Sequence, residues 1–396
     1  MRRRRIGVLS INGATLPPLG ADTWVHAQIL AVVDRSTYDI HAACTAGPTS
    51  ARTPTFSVLS KIPDLKIHTV RLGRERVASS KHKKIGVLVD LPLAVASIGG
   101  LIWYTFRHHI GMIHTTDRPR DAVAAVVIAR TTRRKSIVHA HVAFGDWMGA
   151  PLRWSLRHAD ALVAVSAFVA RSLVRSGHDP AKIHVVLNCI DPHAWRPGQG
   201  REAARHELGL PESSLVLLSV SRLFKEKGPG ELLEAVALIR TEVPDLRVVI
   251  TGSDTTPNGE FSEELRSIVK KHNLGDQVIF TGYRSDIARL MAAADIYAMP
   301  SFEEPFGLVY AEAMAMKLPV VALNSGGVPE LIEHGVTGLL SEPGDRAALA
   351  ANLLALLRDP DRCSRMGEAG RATIENRFTP ADLARGIESV YQSMLQ

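Results

Sequence analysis

The sequence predicts an α/β protein made of two doubly wound domains, each a parallel sheet with helices on both faces. Short apolar runs alternate with amphipathic stretches along the chain, which is the pattern of strands and helices in parallel sheets. The rhythm starts twice, with about six strand-like runs in each series. Between the two series lies a segment rich in Pro and Gly, residues 191–200, which we interpret as the linker.

The elements follow in order along each series. In the first series, strands are predicted at residues 5–10, 39–45, 111–114, 136–140, 161–166 and 183–187, and helices at 23–33, 119–131 and 167–177. In the second, strands are predicted at 215–221, 246–251, 277–281, 295–300, 319–323 and 338–341, and helices at 230–241, 260–272, 287–293 and 308–316. The domains are therefore expected at residues 1–195 and 196–379. Because ligands of doubly wound sheets bind at the carboxyl ends of strands, we expect the active site in a cleft where the two domains face each other.

Composition restricts the class of protein. The three cysteines are far apart, which argues against a disulfide framework or a zinc cluster and fits a reducing cytosol. The apolar run after the N-terminal arginines ends after about six residues, which is too short for a signal peptide. Residues 85–106 have about the length of a spanning helix, but Asp90 and Pro92 favour a buried or interfacial helix. We therefore expect a cytoplasmic protein.

Charge is distributed unevenly along the chain. Residues 1–195 contain 26 Lys and Arg against 12 Asp and Glu, a net charge of +14, whereas residues 196–396 contain 21 against 28, a net charge of −7. The basic half suggests an anionic partner, although a solvated basic surface explains the excess equally well. A basic run also precedes the apolar stretch at 85–106, a pattern typical of segments that bind anionic lipid. We therefore expect either peripheral contact with the inner face of a membrane or a phosphorylated acceptor. The basic run consists of Arg71, Arg74, Arg76, Lys81, Lys83 and Lys84.

The motif with the most chemical content spans residues 301–314, SFEEPFGLVYAEAM, which follows a strand and opens a helix. Pro305 and Gly307 allow a tight turn whose backbone N–H groups can point at a ligand, and helix N-termini favour anions and hydroxyl oxygens. Glu304 and Glu312 stand eight residues apart across this turn, and their carboxylates suit the vicinal hydroxyls of a sugar. The alternative is a solvated helix cap with ordinary surface acids.

A second turn, SVSRLFKEKG at residues 219–228, ends the first strand of the second domain and leads into a helix. Arg222 and Lys227 place two cations near the helix N-terminus, which suits a diphosphate. An Arg and a Lys five residues apart would be a weak signal in isolation. Their position at a strand-to-helix turn makes the pattern more specific.

The two turns together resemble the retaining glycosyltransferases of family 4, which have the GT-B fold. Glu304 and Glu312 are similar to the family's E-x7-E motif, and residues 221–228 are similar to its S-R-L-x-x-x-K-G pattern. The resemblance implies that Glu304 contacts the donor sugar, Glu312 the ribose hydroxyls, and Arg222 with Lys227 the pyrophosphate. It also implies that three amides face the donor sugar, those of Phe306, Gly307 and Leu308.

Further segments of the second domain are similar to the family. Tyr283 and Arg284 follow a strand at the place where the family's nucleotide base packs, although Tyr283 equally suits a core position. Residues 326–330, GGVPE, are similar to the family's G-G-x-P-E segment, and two glycines permit close backbone approach to a ligand. The resemblance is tight from 222 to 340 and loose before 160. It implies that the final helix, about 380–396, crosses back onto the N-terminal domain.

The N-terminal domain matches the family less closely. Gly20 belongs to a loop similar to the family's G-G-x-E-x-H loop over the phosphates, with Ala21 in place of the second glycine. His141 aligns with the family histidine near the reacting carbon, and His139 is its nearest rival. Cys189 replaces a glycine in a segment similar to N-G-[VI]-D, and we interpret it as a small buried residue.

The resemblance implies transfer of a sugar from a nucleoside-diphosphate sugar with retention of configuration. No carboxylate stands out as a nucleophile, so a front-face reaction is expected, in which the leaving phosphate oxygen helps to deprotonate the acceptor hydroxyl. The catalytic residues of this reaction would be His141, Glu304, Arg222 and Lys227.

No cofactor, no metal and no nucleic-acid partner is expected. The D-x-D spacing at Asp359 and Asp361 is interpreted as a helix start. The alternatives are a nucleotide-sugar epimerase on the same fold or a non-catalytic nucleotide-sugar-binding subunit. The acceptor is expected to touch loops at 16–19, 117–120 and 142–147, which do not identify it.

Overall fold

The computed structural model describes residues 5–14, 20–45, 53–73 and 83–396, and for residues 83–90 it describes the backbone alone. The expected acceptor loop at 16–19 and the basic residues Arg74, Arg76 and Lys81 lie outside the described residues, as do the side chains of Lys83 and Lys84. The chain divides into two compact units. Unit 1 consists of residues 1–188 and 380–396, and unit 2 of residues 189–379.

The unit boundary falls after Asn188, seven residues before the position expected from the sequence. The segment that follows is bound to unit 2 by its backbone. The Ile190 amide donates to the Phe378 carbonyl at 3.0 Å, and Arg371 donates to the Trp195 carbonyl at 2.9 Å. Local composition favoured the Pro- and Gly-rich stretch as the boundary and gave no sign of these two bonds.

Unit 1 is a parallel sheet of seven strands in the order β3-β2-β1-β4-β5-β6-β7. The strands are β1 Ile6–Asn12, β2 Tyr38–Thr45, β3 Lys66–Val70, β4 Ile110–Thr116, β5 Lys135–Ala140, β6 Ala161–Ala164 and β7 Ile183–Val185. The helices are α1 Ala21–Val32, α2 Pro54–Leu59, α3 Lys83–Arg107, α4 Pro119–Thr132, α5 Ala150–His158, α6 Ala167–Arg175 and, from the end of the chain, α15 Pro380–Ser393.

The central strands of this sheet are continuous runs of buried residues, as expected for a parallel sheet covered on both faces. The terminal helix α15 belongs to this unit and packs against α1. On α15, Tyr391 is buried with its ring against Tyr38, and the amide of Asp34 donates to Glu388 at 2.8 Å. The final helix therefore forms part of the N-terminal unit.

Unit 2 is a parallel sheet of six strands in the order β10-β9-β8-β11-β12-β13. The strands are β8 Leu215–Val220, β9 Leu246–Thr251, β10 Val278–Gly282, β11 Ile296–Met299, β12 Val320–Leu323 and β13 Gly338–Ser341. The helices are α7 Arg201–Glu207, α8 Pro229–Ile239, α9 Glu260–Lys271, α10 Ile287–Ala293, α11 Leu308–Ala315, α12 Val328–Leu331, α13 Arg346–Leu357 and α14 Pro360–Arg377. The fold is thus two parallel-sheet α/β units, as the sequence predicts.

Strand order fixes where a ligand can bind in each unit. In unit 1 the chain proceeds outward in one direction from β1 and in the other from β4, and these two strands are neighbours. In unit 2 the corresponding neighbours are β8 and β11. A crevice forms at the carboxyl ends of strands where the winding direction reverses. Ligand-binding residues are therefore expected in the segments after β1, β4, β8 and β11.

The apolar stretch at 85–106 forms most of helix α3. Its buried side includes Leu101 and Tyr104, while Val95, Trp103 and Phe106 are 62%, 65% and 52% exposed. Among the helices of the described residues, none combines the length and the apolar character needed to cross a membrane. The other expected helix start, at Asp359, is also present. The Asp359 carboxylate accepts from the Arg362 amide at 2.8 Å and caps α14.

Candidate active site

The turns after β8 and β11 of unit 2 are tied together. The Phe302 amide donates to the Glu226 carbonyl at 2.8 Å, which joins the segment after β11 to the one after β8. Gly228 closes the β8 turn with φ 72°, and a Cβ at this position would lie 2.0 Å from the Pro300 carbonyl oxygen. Only glycine fits this approach, so the two predicted motifs are held side by side at the point where the winding direction reverses.

Lys227 and Glu304 meet in this junction. The Lys227 ammonium donates to Glu304 Oε2 at 2.5 Å, and the Ser301 hydroxyl lies 3.0 Å from the same oxygen. Both charged side chains are mostly buried, at 19% and 12% exposure. The contact fixes one oxygen of the Glu304 carboxylate. No described hydrogen bond uses the other oxygen, Oε1, which is therefore available to accept from a ligand.

Gly326 and Gly327 contact the backbone of the Glu304 turn. The Gly327 amide donates to the Glu304 carbonyl at 2.7 Å, and the Glu303 amide donates to Ser325 Oγ at 3.0 Å. Gly326 has φ 65°, and a Cβ there would lie 2.4 Å from the Glu304 carbonyl oxygen. The glycines of the segment at 326–330 thus position Glu304 through the backbone.

Helix α11 opens directly after this turn with Gly307 as its N-cap, at φ 92°. Among the hydrogen bonds of the described residues, none uses the amides of Phe306, Gly307 or Leu308. These donors therefore lie at the positive end of the helix dipole without a protein acceptor. This is the arrangement that binds phosphate or sugar oxygens at helix N-termini.

Glu312 lies one turn further along α11. Burial raises the pKa of its carboxyl to about 8, and no described hydrogen bond stabilises its charged form. Glu304 differs because Lys227 and Ser301 meet its carboxylate directly. The two acids of the E-x7-E pattern therefore have different environments, one paired with a cation and the other desolvated.

The remaining predicted donor-binding residues of unit 2, Arg222, Tyr283 and Arg284, differ in their exposure and in their contacts. Arg222 is exposed, with its guanidinium 5.1 Å from the Phe224 ring centroid. Tyr283 is 61% exposed after β10, and it is therefore a surface residue and not a core aromatic. Arg284 is bound by two carboxylates, donating to Asp286 at 2.8 and 2.6 Å and to Glu207 at 2.7 Å. Its guanidinium is occupied within unit 2.

In unit 1, the turn from Gly20 into α1 meets the segment after β4. Arg118 donates to both oxygens of Asp22, at 2.6 and 3.2 Å. A Cβ on Gly20 would lie 2.4 Å from Asp22 Oδ1, so a larger residue at this position would displace the Asp22 carboxylate. The Gly20 carbonyl accepts from the amides of Thr23 and Trp24 and thereby starts the helix.

The segment after β1 is held by α4. Asp121, in the first turn of α4, is fully buried, and its Oδ2 accepts from the Gly13 amide at 2.7 Å. A Cβ on Gly13 would lie 2.5 Å from Asp121 Oδ1. Burial raises the pKa of Asp121 to about 6, partly offset by the Gly13 bond. These contacts fix the strand end where the expected phosphate loop begins.

His141 follows β5 and belongs to a group of four imidazoles. Its amide donates to Asp117 Oδ2 at 2.7 Å, and its ring stacks on His139 with centroids 4.4 Å apart. His26 of α1 lies 4.8 Å from His114 and 5.4 Å from His139, measured between ring centroids. We call His26, His114, His139 and His141 the histidine cluster.

Burial is the largest cause of the lowered pKa of each histidine in the cluster. Repulsion between neighbouring rings adds to the effect, and for His114 the pKa falls to about 3. At His141 the nearby carboxylates of Asp117 and Asp22 oppose the shift. The cluster is therefore neutral at physiological pH, and His141 is the member whose surroundings best tolerate a proton.

His26, His114 and His139 are the group in the described residues that could hold a metal ion. Their ligand nitrogens lie within 4.8 Å of one another, and all three side chains are buried. His114 Nδ1 is 2.8 Å from the Tyr391 hydroxyl, while Nε2 of His26 and of His114 have no hydrogen-bond partner among the described residues. In unit 2, all of which is described, no such group occurs.

Sequence reasoning missed His26, His114 and the Asp22–Arg118 pair as parts of a site. His114 lies in β4 and His139 in β5, so their positions in neighbouring strands were the available signal. The pairing of Arg284 with Glu207 had no local signal, because the two residues are 77 positions apart.

Comparisons with known proteins agree with this geometry. The family model for Glycosyltransferase Family 4 matches residues 16–194, and the model for Glycosyl transferases group 1 matches residues 200–373. N-acetyl-alpha-D-glucosaminyl L-malate synthase of Bacillus anthracis is 32% identical over 249 residues, which are 62% of each chain. D-inositol 3-phosphate glycosyltransferase of Streptomyces scabiei is 37% identical over 228 residues, 56% of this chain and 51% of the relative. The chain thus spans about half to three fifths of these relatives.

A solved structure is similar over almost the whole chain. The complex of Anabaena HepE with UDP superimposes with a TM-score of 0.79, covering 98% of this chain and 100% of that one, at 23% identity. At this identity the likeness shows the fold alone. The two family models follow one another along nearly all of the sequence, and they meet between residues 194 and 200, close to the unit boundary after Asn188. The chain therefore belongs to the family 4 type of glycosyltransferases with the GT-B fold.

Proposed function

We propose that this protein is a retaining glycosyltransferase that transfers a sugar from a nucleoside-diphosphate sugar to a hydroxyl group of an anionic acceptor. The observation that carries the proposal is the Lys227–Glu304 contact beside the unused amides of α11. A cation for the diphosphate and a carboxylate for the sugar stand together at the reversal point of unit 2. This arrangement supports a sugar nucleotide as donor, because an ammonium can bind its diphosphate and a carboxylate can accept from its sugar hydroxyls.

Departure of the nucleoside diphosphate is the step that this site would assist. The bond between the anomeric carbon and the phosphate oxygen breaks, and negative charge develops on the diphosphate. Lys227, Arg222 and the α11 amides are donors for that charge, and preorganised donors of this kind usually contribute most to catalysis. Glu304 would accept from sugar hydroxyls through Oε1 and hold the anomeric carbon in place.

The acceptor hydroxyl attacks the anomeric carbon on the face that the leaving group vacates, which gives retention. Its proton passes to the departing phosphate oxygen, so no protein carboxylate has to become a covalent nucleophile. His141, which is neutral at physiological pH, would position or polarise groups near the sugar. Transfer without a divalent metal is part of the proposal, since Arg222 and Lys227 supply positive charge at the diphosphate site.

The names of relatives guide the choice of substrates. HepE was solved with UDP-glucose, so UDP-sugars are the first donors to test. The names of two relatives specify malate and inositol 3-phosphate, which are both anionic. The net charge of +14 on residues 1–195 is compatible with an acceptor of this chemistry.

The test is an assay of UDP-sugars with malate, inositol phosphate and sugar phosphates, in the presence of a chelator or of Mg²⁺. We expect an α-linked product from an α-linked donor and equal turnover in both conditions. Inversion of the anomeric centre would contradict the front-face reaction, and turnover that is lost in chelator would contradict metal independence. Donor epimerised without acceptor would instead support the epimerase, and donor binding without any turnover would support a non-catalytic subunit.

We further propose that α3 rests on an anionic phospholipid surface. From residue 91 to residue 106 the helix contains no charged residue, and its exposed side chains include Leu91, Val95 and Trp103. Arg71, beside the middle of the helix, donates its amide to Ser97 Oγ at 3.0 Å, and Arg107 ends the helix. Cations beside exposed Trp and Leu are typical of interfacial helices.

Sedimentation with vesicles tests this contact. We expect binding to vesicles that contain phosphatidylglycerol, weaker binding as salt increases, and loss of binding in Trp103→Ser/Phe106→Ser. Trp24→Ser removes a tryptophan that is 51% exposed on α1 and serves as the matched control. Protein that stays in solution with anionic vesicles at low salt would contradict the membrane contact and leave the glycosyltransferase proposal intact.

A further inference from the structure

Unit 1 contains a concentration of positive charge that includes none of the residues of the candidate active site. An open cavity of about 470 Å³ is lined by Arg130, Arg133, Arg134, Arg157 and Lys182, with Asp160 as the acidic residue among its lining side chains. This volume falls in the range of small-molecule sites. We call it the cationic cavity.

Within unit 1, the cationic cavity lies at the end of the sheet opposite Asp117 and His141. Arg134 directly precedes β5, Asp160 directly precedes β6, and Lys182 directly precedes β7. Asp117 and His141, in contrast, follow strands β4 and β5. Because all strands are parallel, the residues before strands and the residues after strands lie at opposite edges.

The described part of the protein neutralises the positive charge in the cavity only in part. None of its five Arg and Lys side chains forms an ion pair with a described carboxylate. Asp160 uses one carboxylate oxygen to accept from the Ser136 amide and hydroxyl, at 2.8 and 2.9 Å. Arg134 Nε is buried without a hydrogen-bond partner among the described residues, an arrangement that is costly unless something else satisfies it.

Two helix dipoles offset part of the positive charge in the cationic cavity. Helices α4 and α5 both end at the cavity, and each C-terminus carries about half a negative charge. Together with Asp160 they offset about two of the five positive charges. An excess of about three positive charges therefore remains in one concavity.

We infer that the cationic cavity binds a multiply charged anion of the phosphate class, separately from the donor site. A single carboxylate has one charge and two oxygens, which is too little for four guanidinium groups and an ammonium. A diphosphate or phosphate ester offers several oxygens in a tetrahedral arrangement, which arginine side chains can bind through paired N–H groups. The anion is either a soluble phosphate compound or the headgroup of a lipid.

Calorimetric titration of the full-length protein with inorganic pyrophosphate tests the inference. We expect two binding sites in the wild-type protein, one at Arg222 and Lys227 and one in the cationic cavity. The variant Arg133→Ala/Arg157→Ala should keep the first site and lose the second, with affinity falling about tenfold or more for each arginine removed. The variant Arg222→Ala/Lys227→Ala should show the reverse.

The control variant Arg153→Ala/Arg171→Ala removes the same charge from exposed positions of unit 1 outside the cavity. Binding of a single equivalent of pyrophosphate that the cavity variant retains, or equal losses in the cavity and control variants, would overturn the inference.

Vesicles of phosphatidylcholine with phosphatidic acid then identify the source of the phosphate. Vesicle binding that weakens in the cavity variant, but not in the control, assigns a lipid headgroup. If only pyrophosphate binding weakens, the ligand is a soluble phosphate.

Discussion

At the scale of single residues, the Lys227 ammonium is expected to combine two contacts. It is expected to bind the diphosphate, and it holds Glu304 at 2.5 Å. Lys227→Ala should therefore weaken binding of a nucleoside diphosphate by about 1.5–3 kcal/mol, the value of one charged hydrogen bond, and Arg222→Ala by a similar amount. Isothermal titration measures both values.

Lys225→Ala is the matched control, because Lys225 is exposed in the same short turn. Unchanged nucleotide affinity in both Lys227→Ala and Arg222→Ala would refute the assignment of the diphosphate site. Loss of affinity in the control would indicate a general effect of charge.

The raised pKa of Glu312 leads us to expect that nucleotide affinity depends on pH. Burial raises its pKa to about 8, so the carboxyl is mostly protonated at pH 6 and ionised above pH 8. If ribose hydroxyls donate to the carboxylate, the affinity should rise toward pH 8 in proportion to the ionised fraction, about tenfold per unit well below the pKa, and then level off. Glu312→Gln should remove this component of the slope.

Comparing variants with the same nucleotide cancels the titration of the phosphate itself. Glu304→Gln should keep the pH component and lose turnover, since Glu304 is expected to touch the sugar and not the ribose. The exposed neighbour Glu303 provides a control, and Glu303→Gln should behave as the wild-type protein. A pH slope that survives in Glu312→Gln would contradict the ribose contact.

At the scale of elements, we expect alanine to be more destabilising at Gly326, in the loop between β12 and α12, than at Gly335, in the loop between α12 and β13. Gly326 and Gly335 both have positive φ, at 65° and 82°, so alanine at either position costs about 1–2 kcal/mol of backbone strain. At Gly326 the new Cβ would also lie 2.4 Å from the Glu304 carbonyl oxygen, whereas nothing lies within 4 Å of it at Gly335.

Gly326→Ala should therefore destabilise unit 2 by a further ~1–3 kcal/mol relative to Gly335→Ala, and it should displace the Glu304 turn. Urea unfolding measures the first effect and donor affinity the second. Equal stability and equal donor affinity in the two variants would show that the loop does not position Glu304.

The terminal helix α15 connects the end of the chain to the histidine cluster. Tyr391 is fully buried, and its hydroxyl is 2.8 Å from His114 Nδ1. Tyr391→Phe removes the bond and leaves His114 unpaired, which should cost about 1–3 kcal/mol in the stability of unit 1. Truncation after Thr379 should expose α1 as well.

Hydrogen exchange followed by mass spectrometry distinguishes the units in these variants. Both changes should accelerate exchange in α1 and β4 while residues 189–379 keep their protection. Loss of protection in unit 2 alone would contradict the assignment of α15 to unit 1.

Most elements could be predicted because strands buried on both faces are continuous apolar runs. Strand β3 was missed for the opposite reason. It lies at the edge of the sheet, its sequence KIHTV contains three polar residues among five, and only Val70 is buried. The motifs of unit 2 are local, so residues near in sequence form the contact set. The histidine cluster is assembled from α1, β4 and β5, and single-chain patterns do not report such distances.

At the scale of the whole molecule, Glu312 of unit 2 and the histidine cluster of unit 1 should contribute to stability with opposite dependence on pH. In unit 2 the raised pKa of Glu312 means that the unfolded chain releases a proton at lower pH than the folded one. This contribution to stability therefore falls as pH rises from about 4.5 to about 8. In unit 1 the cluster histidines have lowered pKa values, so the unfolded chain binds protons first as pH falls.

The consequence for unit 1 is loss of stability below pH 6.5, the ordinary pKa of histidine, continuing down toward the folded values, of which that of His114 is about 3. Each histidine that stays neutral in the folded unit contributes a slope of about 1.4 kcal/mol per pH unit.

Four of the five tryptophans, at positions 24, 103, 147 and 154, belong to unit 1, so tryptophan fluorescence during urea unfolding mainly follows this unit. Its midpoint should fall between pH 7 and pH 5. His139→Phe should reduce the slope by about one proton, while His158→Gln, at an exposed position, should leave it unchanged. A midpoint that is constant over this range would mean that the cluster takes up protons without cost, and that a bound ion or solvent, and not burial, determines its charge.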